Sequence, residues 1–568
     1  MKQFVSKVFR RFAFLTFILA LLLQSCTSEK KVTVWVASPW QRVMRSTPPG
    51  QTRSADLKAA ANEYAPFRII IHNDGRNALS KVNVTITDLK GGDGEIKSGD
   101  IQLYRANYVH ITQPSYRTDN PIGWYPDALI PFLPENSANV THSQSYLNWL
   151  SQPENNAAGK LLYISAPFVI DTAQNAEVWC DLFVPPGTKP GTYSGVASVT
   201  SGTTVMAEIP VNLQVWGFEL PKTISMHSNF GMFTREAGAM MGLKFGSKDY
   251  LDMEDKFDQE LLRNRAVPGT PSFVWPGWDQ DSGIVEHGNS TLIKEIVTKE
   301  HFNSLNIPFL YKNNPDKSVL YLADMASWLD SLGLLDISYV QLPDYPDNAA
   351  DYESVRTQAS MIRSASPKIK RFCTVGTLPD NPKWGNLYGS VDIWAPLWGK
   401  WDEKTATERL ARGEKLWSYT ALCQGPEGTP WWQIDVDPVN FRSPMWLSWH
   451  YNITGFYYWS SVYWDDYQNL QTVWDTPHYR GDFWGEGVLL YPGYLAGTEN
   501  FVPSIRLKLY REAEEDYEYM VMASNMGFKD EVDKIVNGVV SSFENWSHDS
   551  QAYEQAREKL AALILGKG

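Results

Sequence analysis

The stretch Ile337-Ser338-Tyr339-Val340-Gln341-Leu342 begins the clearest structural pattern in the sequence. It is followed by a helical pattern over Tyr352–Ser364 and by a second apolar run over Lys368–Gly376. A short β-branched run, an amphipathic helix and another short run predict a strand, a helix and a strand. Because the helix carries the chain back to the same edge, the two strands are expected to be parallel.

The same alternation extends in both directions from this unit. Further strands are predicted at Ser225–Phe233, Ala266–Val274, Asn306–Tyr311, Ser390–Leu397, Leu416–Gln424 and Ile453–Tyr463. Further helices are predicted at Tyr250–Asn264, Val319–Leu332, Thr405–Lys415 and Arg442–Tyr451. Eight strand positions alternating with helices predict a β/α barrel of the TIM type over residues 221–503, although the second and fifth crossovers show no clear helical pattern.

The regions on either side of the barrel have different patterns. Residues 32–220 contain short alternating strands separated by turn clusters, which predicts an antiparallel β-sandwich. The predicted strands are Phe67–His72, Val82–Leu89, Ile101–Ile111, Glu177–Val184, Gly191–Thr200 and Val205–Trp216. Residues 504–568 contain two helical stretches, Ser504–Asn525 and Glu531–Leu565, which we expect on the outside of the barrel. Arg511 and Glu515 are four residues apart on the first of these helices and are expected to pair.

The amino terminus has the pattern of a lipoprotein signal peptide over residues 1–25. Four basic residues precede an apolar run over Phe12–Leu23, which is shorter than the ~20 residues that span a bilayer. Leu23-Gln24-Ser25-Cys26 then resembles the lipobox, in which the cysteine receives the lipid. An ordinary signal peptide with a chance cysteine is the alternative. The sequence therefore predicts a protein of the cell envelope, anchored to a membrane through Cys26 and facing either the periplasm or the surface.

The composition argues against several classes of partner and cofactor. Loss of the four basic residues in the signal changes the formal net charge from −13 to about −17, which disfavours nucleic acid as a partner. Cys180, Cys373 and Cys423 are too scattered for a zinc site or a disulfide framework. Nine histidines without an HExxH pattern give no indication of a catalytic metal, so we expect neither a metal nor a cofactor.

Carboxylates and aromatic side chains follow several predicted barrel strands, at the ends where the active sites of such barrels lie. Asp344 follows the fourth strand, and Glu427 and Asp435 follow the seventh. Each also has an ordinary explanation, as a turn or a solvent-facing residue. Thirteen of the 23 tryptophans lie between Trp384 and Trp484. Many of them should fill the core, because tryptophan is mostly buried. Those at strand ends are suited to stacking on the C–H face of a sugar ring. The candidate residues for binding an oligosaccharide are Trp275, Trp394, Trp398, Tyr419, Trp459 and Trp464.

Several ordered motifs resemble one known family. They are Val391-Asp392-Ile393-Trp394-Ala395-Pro396, Thr454-Gly455-Phe456-Tyr457-Tyr458-Trp459, Gly487-Val488-Leu489-Leu490-Tyr491-Pro492-Gly493 and the run from Arg506 through Tyr510-Arg511-Glu512 to Tyr519. The chain is similar in these motifs to the family labelled domain of unknown function 4091, which includes glycoside hydrolase family 123. Members of the latter are β-N-acetylgalactosaminidases, so the resemblance implies a glycosidase acting on N-acetylhexosamine glycans.

The resemblance also implies a mechanism, from which this sequence departs at one position. In the family an Asp-Glu pair ends the fourth strand: the aspartate orients the substrate's 2-acetamido group, which attacks the anomeric carbon, and the glutamate protonates the leaving oxygen. The matching residues here are Asp344 and Tyr345, followed by Pro346. Three explanations remain open. Another carboxylate, namely Asp347, Glu427 or Asp435, supplies the proton; the substrate differs; or the protein captures glycans without cleaving them.

We expect Cys26 to carry the lipid anchor, because it stands in register with the leucine and serine of the lipobox. Growth with a tagged fatty acid should label the wild-type protein, and Cys26→Ala should abolish the label. Cys180→Ala is the matched control and should leave the label unchanged. Label that persists in Cys26→Ala would contradict the prediction.

Overall fold

The computed structural model describes residues 32–133, 143–151, 163–231, 234–426, 428–464 and 467–566. Cys26 lies outside these residues. Within them, no helix combines the length and the apolar character needed to cross a membrane.

The amino-terminal region consists of two β-sheets, as the alternating pattern predicts. One sheet has the order β1-β3-β10-β7-β8, and the other has the order β2-β12-β11-β4-β9 with β5 and β6 at its side. The strands are β1 Val32–Ala37, β2 Ala55–Ala61, β3 Glu63–Asn73, β4 Leu79–Ile86, β5 Leu89–Gly91, β6 Gly94–Ile96, β7 Ile101–Ile111, β8 Gly123–Pro131, β9 Phe168–Ile170, β10 Asn175–Val184, β11 Gly191–Ser201 and β12 Thr204–Glu219. Pairing is antiparallel except between β2 and β12, which are parallel.

Alternate residues of the two sheets meet in one apolar core. Phe67, Ile69 and Ile71 of β3 pack in the same cluster as Val199 of β11 and Val211 of β12. Because side chains of a strand alternate between faces, this spacing buries one face of each sheet.

A curled parallel sheet with helices forms the second region. Its order is β13-β21-β20-β19-β18-β17-β16, so that neighbours in the sheet follow one another along the chain from β16 to β21. These strands are β13 His227–Phe230, β16 Leu305–Asn306, β17 Ser338–Gln341, β18 Lys370–Cys373, β19 Ile393–Trp394, β20 Lys415–Thr420 and β21 Gly455–Tyr458. The remaining strands form short hairpins: β14 Gly277–Asp279, β15 Gly283–Val285, β22 His478–Tyr479, β23 Phe483–Trp484, β24 Leu490–Tyr491, β25 Val502–Pro503, β26 Val540–Ser542 and β27 Asn545–Trp546.

The prediction of a strand at Ala266–Val274 is wrong. The segment forms a single parallel bridge, between Phe230 and Pro268. Its contact with β16 involves a side chain: the Asn306 N–H donates to Thr270 Oγ1 at 2.8 Å. Pro268 and Pro271 have no N–H to donate, so a regular ladder is interrupted there.

The helices of the second region largely follow the predicted pattern. One helix, α1 Gln144–Ser151, lies between β8 and β9 of the amino-terminal region. Those of the second region are α2 Thr234–Met240, α3 Lys248–Arg263, α4 Asn289–Thr298, α5 Pro315–Leu332, α6 Ala349–Ala365, α7 Glu403–Ala411, α8 Ser443–His450, α9 Leu470–Asp475, α10 Ile505–Ala523, α11 Lys529–Asn537 and α12 Ser550–Ile564. The single helix predicted at Glu531–Leu565 is wrong, because the β26–β27 hairpin divides it into α11 and α12.

Helix α10 is buried and does not lie on the outside of the barrel, contrary to the prediction. Almost all of its residues are buried, including its charged ones. Arg511 pairs with Asp181 of β10, with Nη2 to Oδ1 at 2.6 Å, whereas Glu515 pairs with Arg265 at 3.1 Å. The helix therefore joins the amino-terminal sheets to the second region, and the predicted Arg511–Glu515 pair is replaced by these contacts.

A second buried ion pair makes the same connection. Arg506 of α10 donates to both carboxylate oxygens of Asp127 in β8, at 2.8 and 2.9 Å, and the Tyr491 hydroxyl donates to Asp127 Oδ2 at 2.6 Å. Arg506 also donates to the carbonyl oxygen of Gly485 at 2.7 Å. Asp127 is 1% exposed and Arg506 is 2% exposed, so neither charge has water as an alternative partner.

We expect Asp127→Ala to lower the free energy of unfolding by about 3–5 kcal/mol, because it leaves the Arg506 charge buried without its carboxylate. Lys58→Ala is the control: it removes the exposed ion pair between Lys58 and Glu558 and should cost about 0–1 kcal/mol. Urea unfolding followed by tryptophan fluorescence measures both. An Asp127→Ala cost no larger than that of Lys58→Ala would contradict the prediction.

Candidate functional site

Asp344 lies three residues beyond the end of β17, at the carboxyl edge of the curled sheet. Its side chain is exposed, and Thr374 Oγ1, from the residue after β18, donates to Asp344 Oδ1 at 2.5 Å. The surrounding protein desolvates the carboxyl group and raises its pKa, and the hydrogen bond from Thr374 lowers it in part. Asp344 is therefore in contact with solvent at the mouth, although protein atoms crowd its other sides.

Tyr345 directly follows Asp344 and makes two separate contacts. Its backbone lies in the left-handed region with φ +44°, and its N–H donates to Thr374 Oγ1 at 2.8 Å. Its hydroxyl donates to Gln424 Oε1 at 3.2 Å, and Lys400 Nζ lies 4.8 Å from the centre of its ring. Tyr345 thus connects the segment after β17 with the segment after β20. The same threonine hydroxyl holds both Asp344 and Tyr345.

Glu486 is a second carboxyl group at this end of the sheet, and the sequence analysis missed it. It is 1% exposed; its Oε1 accepts from Trp459 Nε1 at 2.5 Å and its Oε2 accepts from Gln433 Nε2 at 2.9 Å. Burial raises its pKa, and the hydrogen bond from Trp459 is the largest effect that opposes the rise. Glu486 directly precedes Gly487, the first residue of one of the motifs quoted above. Its place next to that motif is the only feature of the sequence that could have pointed to Glu486.

Trp459 lies at the carboxyl edge of the sheet and is held in one orientation. It follows β21, it is half-buried, and its indole N–H is held by Glu486. Tyr463 and Tyr479 pack against it with ring centres 5.0 and 5.5 Å away. The ring orientation is therefore fixed by one hydrogen bond and by two neighbouring rings.

The interior of the curled sheet below the mouth is filled by aromatic side chains. Tyr339, Phe372, Trp417, Tyr419 and Tyr457 belong to one buried cluster. Burial raises the pKa of Tyr419, and the charges of Asp344 and Glu486 raise it further. Tyr419 is 6% exposed and forms part of the floor below the mouth.

A groove of about 330 Å³ runs beside Asp344. Asn306 and Gln341 provide polar groups to it, and Phe309 and Lys312 form part of its wall. Trp275 does not line this groove; it is half-buried and packs against Trp328 at 6.4 Å.

Three of the predicted sugar-binding tryptophans belong to the core. Trp394 is 1% exposed and donates to Glu414, Trp398 is 3% exposed and stacks on Phe456, and Trp464 is 0% exposed. The reason is strand alternation: Ile393, Ala395 and Leu397 face the interior of the sheet, so Trp394 and Trp398 point toward the helical layer. The parity of each residue along its strand would have separated these tryptophans from Trp459.

The structure also separates the candidate acids. Asp435 is 0% exposed and accepts from the Ser115 hydroxyl at 2.6 Å and from the Ser115 N–H at 2.8 Å, so it is a structural link to the β7–β8 loop. Asp347 is exposed and accepts from Asn348 next to α6. Glu427 lies outside the described residues. Within the described ranges, no group of three or more histidine, cysteine, aspartate or glutamate side chains is placed to hold a metal ion.

The comparisons with known proteins agree with this geometry. Residues 292–523 match the sequence model of the glycoside hydrolase 123 catalytic domain. No curated protein matches the sequence. Among solved structures, a family 123 glycoside hydrolase from Clostridium perfringens, described for glycolipid glycan hydrolysis, has a TM-score of 0.66 at 12% identity, over 94% of this chain and 98% of that one. A family 39 glycoside hydrolase from Bacteroides cellulosilyticus has a TM-score of 0.32 at 9% identity, over 84% of this chain and 82% of that one, and adds nothing to the assignment.

The matched segment contains β16 to β21, Asp344, Trp459 and Glu486, and the fold is shared over nearly the whole length of both chains. Residues 292–523, less than half of the chain, are therefore similar in sequence to the glycoside hydrolase 123 catalytic domain, and nearly the whole chain shares the fold of a family 123 glycoside hydrolase.

Proposed function

We propose that the protein cleaves N-acetylhexosamine glycans by a substrate-assisted, retaining mechanism in which the curled sheet serves as a β/α barrel. The observation that carries the proposal is the Asp344 carboxylate, held by Thr374 at the open mouth of a glycoside hydrolase 123 domain. N-acetylgalactosamine is the sugar that the family resemblance favours.

Asp344 accepts a hydrogen bond from the acetamido N–H of the substrate in this mechanism. The acetamido oxygen attacks the anomeric carbon, the glycosidic C–O bond breaks, and the leaving oxygen takes the bonding electron pair and a proton. Positive charge develops on the oxazolinium ring, which water then opens with retention of configuration. A carboxylate beside that charge stabilises the transition state more than the bound substrate.

Protonation of the leaving oxygen is the least efficient step of the proposed mechanism. The Tyr345 hydroxyl is already hydrogen-bonded to Gln424, and a phenol is a weaker general acid than a carboxylic acid. Asp435 is committed to Ser115, and Glu486 is buried behind Trp459. We therefore expect hydrolysis to be best for substrates whose leaving group needs no protonation.

The sugar ring is proposed to stack on Trp459. Glu486 and two tyrosine rings fix the indole plane, which lowers the entropy that binding must overcome. Tyr419 contributes to the floor, and Trp275 is left as a more distant candidate.

The contacts of Tyr345 favour a second candidate function. Because the residue in the acid position bridges two loops, the site is also compatible with a lipoprotein that captures glycans without cleaving them. Both functions place the protein in the cell envelope, where we propose that Cys26 anchors it.

Asp344→Asn should lower kcat on an aryl N-acetylhexosaminide by about 10²-fold or more, because the amide cannot stabilise the developing positive charge. Sugar binding should remain within about twofold, since the contact strengthens mainly in the transition state. Asp330→Asn, exposed on α5 away from the mouth, is the control and should keep wild-type kcat. Release of aryl alcohol and calorimetric binding provide the two measurements. No release by the wild-type protein, with sugar binding intact, would support the capture function instead.

Tyr345→Phe should leave cleavage of natural linkages within about twofold, because the hydroxyl bonded to Gln424 is not the proton donor. Tyr345→Glu should increase cleavage of natural linkages. The gain should be larger in combination with Lys400→Met, because the Lys400 ammonium would hold a glutamate at this position ionised. Oligosaccharide cleavage followed by chromatography tests the series. A large loss of activity in Tyr345→Phe would show that the tyrosine donates the proton.

A further inference from the structure

Two tyrosine–arginine pairs lie at the rim of the mouth and come from different halves of the chain. Tyr116-Arg117 belongs to the loop between β7 and β8, and Tyr479-Arg480 belongs to the β22–β23 hairpin. The Arg117 guanidinium lies over the Tyr116 ring at 5.6 Å, and the Arg480 guanidinium lies over the Tyr479 ring at 4.9 Å. We call these four residues the tyrosine–arginine rim.

The two segments are pinned to each other by hydrogen bonds. The Tyr116 N–H donates to the Asp482 carbonyl oxygen at 2.8 Å, and Gln113 Nε2 donates to the Gly481 carbonyl oxygen at 3.1 Å. Trp484 Nε1 donates to the Gln113 carbonyl oxygen at 2.9 Å. The loop and the hairpin therefore form one surface.

This surface adjoins the candidate site. The Tyr479 ring is 5.5 Å from that of Trp459, the proposed sugar platform, and 5.5 Å from that of Tyr463. Arg117 is close enough to the residues after β20 to oppose, by its charge, the rise that burial causes in the pKa of Cys423. A glycan that stacks on Trp459 and extends past Tyr479 would meet both arginines.

The two arginines are available for an anionic ligand. Both are exposed, and neither forms an ion pair with any acid of the described residues. The acid of the hairpin is Asp482. Its carbonyl oxygen accepts from the Tyr116 N–H, and its carboxylate does not lie within 4.0 Å of either guanidinium group. The chain has a formal net charge of −13 and should repel anions overall. The two unpaired guanidinium groups give this rim a local positive charge that attracts them.

The backbone at both arginines is unusual in the same way. Arg117 has φ +63° and Arg480 has φ +50°, a region that glycine, asparagine and aspartate adopt at lower cost. The structure thus has an arginine at two turn positions where a smaller residue would be more stable, which is the pattern expected where side-chain function outweighs backbone strain.

We propose that the tyrosine–arginine rim binds the acidic sugar of a glycan, carboxylated or sulfated, whose N-acetylhexosamine occupies the Trp459 platform. Guanidinium groups bind carboxylate and sulfate through paired N–H donors, and the tyrosine rings offer faces for the sugar's C–H groups. The inference rests on the proposed function for its neighbouring sugar, but the binding itself does not require cleavage.

The test measures binding of three oligosaccharides of equal length to the full chain by calorimetry. They are a neutral N-acetylglucosamine oligomer, an unsulfated chondroitin oligomer that carries carboxylates, and its sulfated form. Wild type should bind an acidic oligomer more tightly than the neutral one, by about tenfold or more. Equal binding of the two chondroitin forms would assign the carboxylate as ligand, and binding of the sulfated form alone would assign the sulfate.

Arg117→Gln combined with Arg480→Gln should abolish the preference for acidic oligomers and leave neutral binding within about twofold. Lysine at both positions keeps the charge but not the paired donors and should restore part of the preference. The matched control is Arg76→Gln with Arg412→Gln, which removes two exposed arginines elsewhere. An equal loss in the control, or no loss in the rim variant, would overturn the proposal. Acidic binding that survives Asp344→Asn, with no hydrolysis by wild type, would retain the rim and reject the glycosidase mechanism.

Discussion

The ion pair between Asp127 and Arg506 is the contact on which the relation between the two halves of the molecule depends. Neither charge reaches water, so a shift of one half against the other would leave two buried charges without their partners, and the pair permits only one arrangement with good geometry. Asp181 with Arg511 repeats the connection along the same helix, α10. The β7–β8 loop can therefore contribute to the rim of a mouth that the other half of the chain builds.

Thr374 has a comparable role at a smaller scale. One hydroxyl donates to the Asp344 carboxylate and accepts from the Tyr345 N–H, so it stabilises both the proposed reactive group and the left-handed backbone beside it. The tyrosine side chain then extends to Gln424. Tyr345 thus links two loops, while the Asp344 side chain is exposed at the mouth.

The helices and most strands of the second region could be predicted because their signals are local. The apolar spacing of Tyr352–Ser364 is already present in the sequence, and α6 forms there. The prediction of a strand at Ala266–Val274 was wrong because its two prolines interrupt the ladder despite the β-branched residues around them. The prediction of one helix at Glu531–Leu565 was wrong because a hairpin interrupts it. Trp394 and Trp398 were predicted to bind a sugar because they lie at strand ends. Side chains alternate between the two faces of a strand, and this alternation turns both tryptophans outward, toward the helices.

By itself the sequence determined the alternation of strands and helices, the two-sheet amino-terminal region, the resemblance to a glycoside hydrolase family and the position of Asp344, because each depends on residues close together in the chain. Only the tertiary structure decided that Glu486 holds Trp459, that Asp435 binds Ser115, and that Arg117 and Arg480 meet at one rim. Arg117 and Arg480 are brought together by hydrogen bonds between a sandwich loop and a distant hairpin. No periodicity or local motif encodes such a contact, because it joins residues that are far apart in the chain and depends on how the two halves pack around the buried charges of α10.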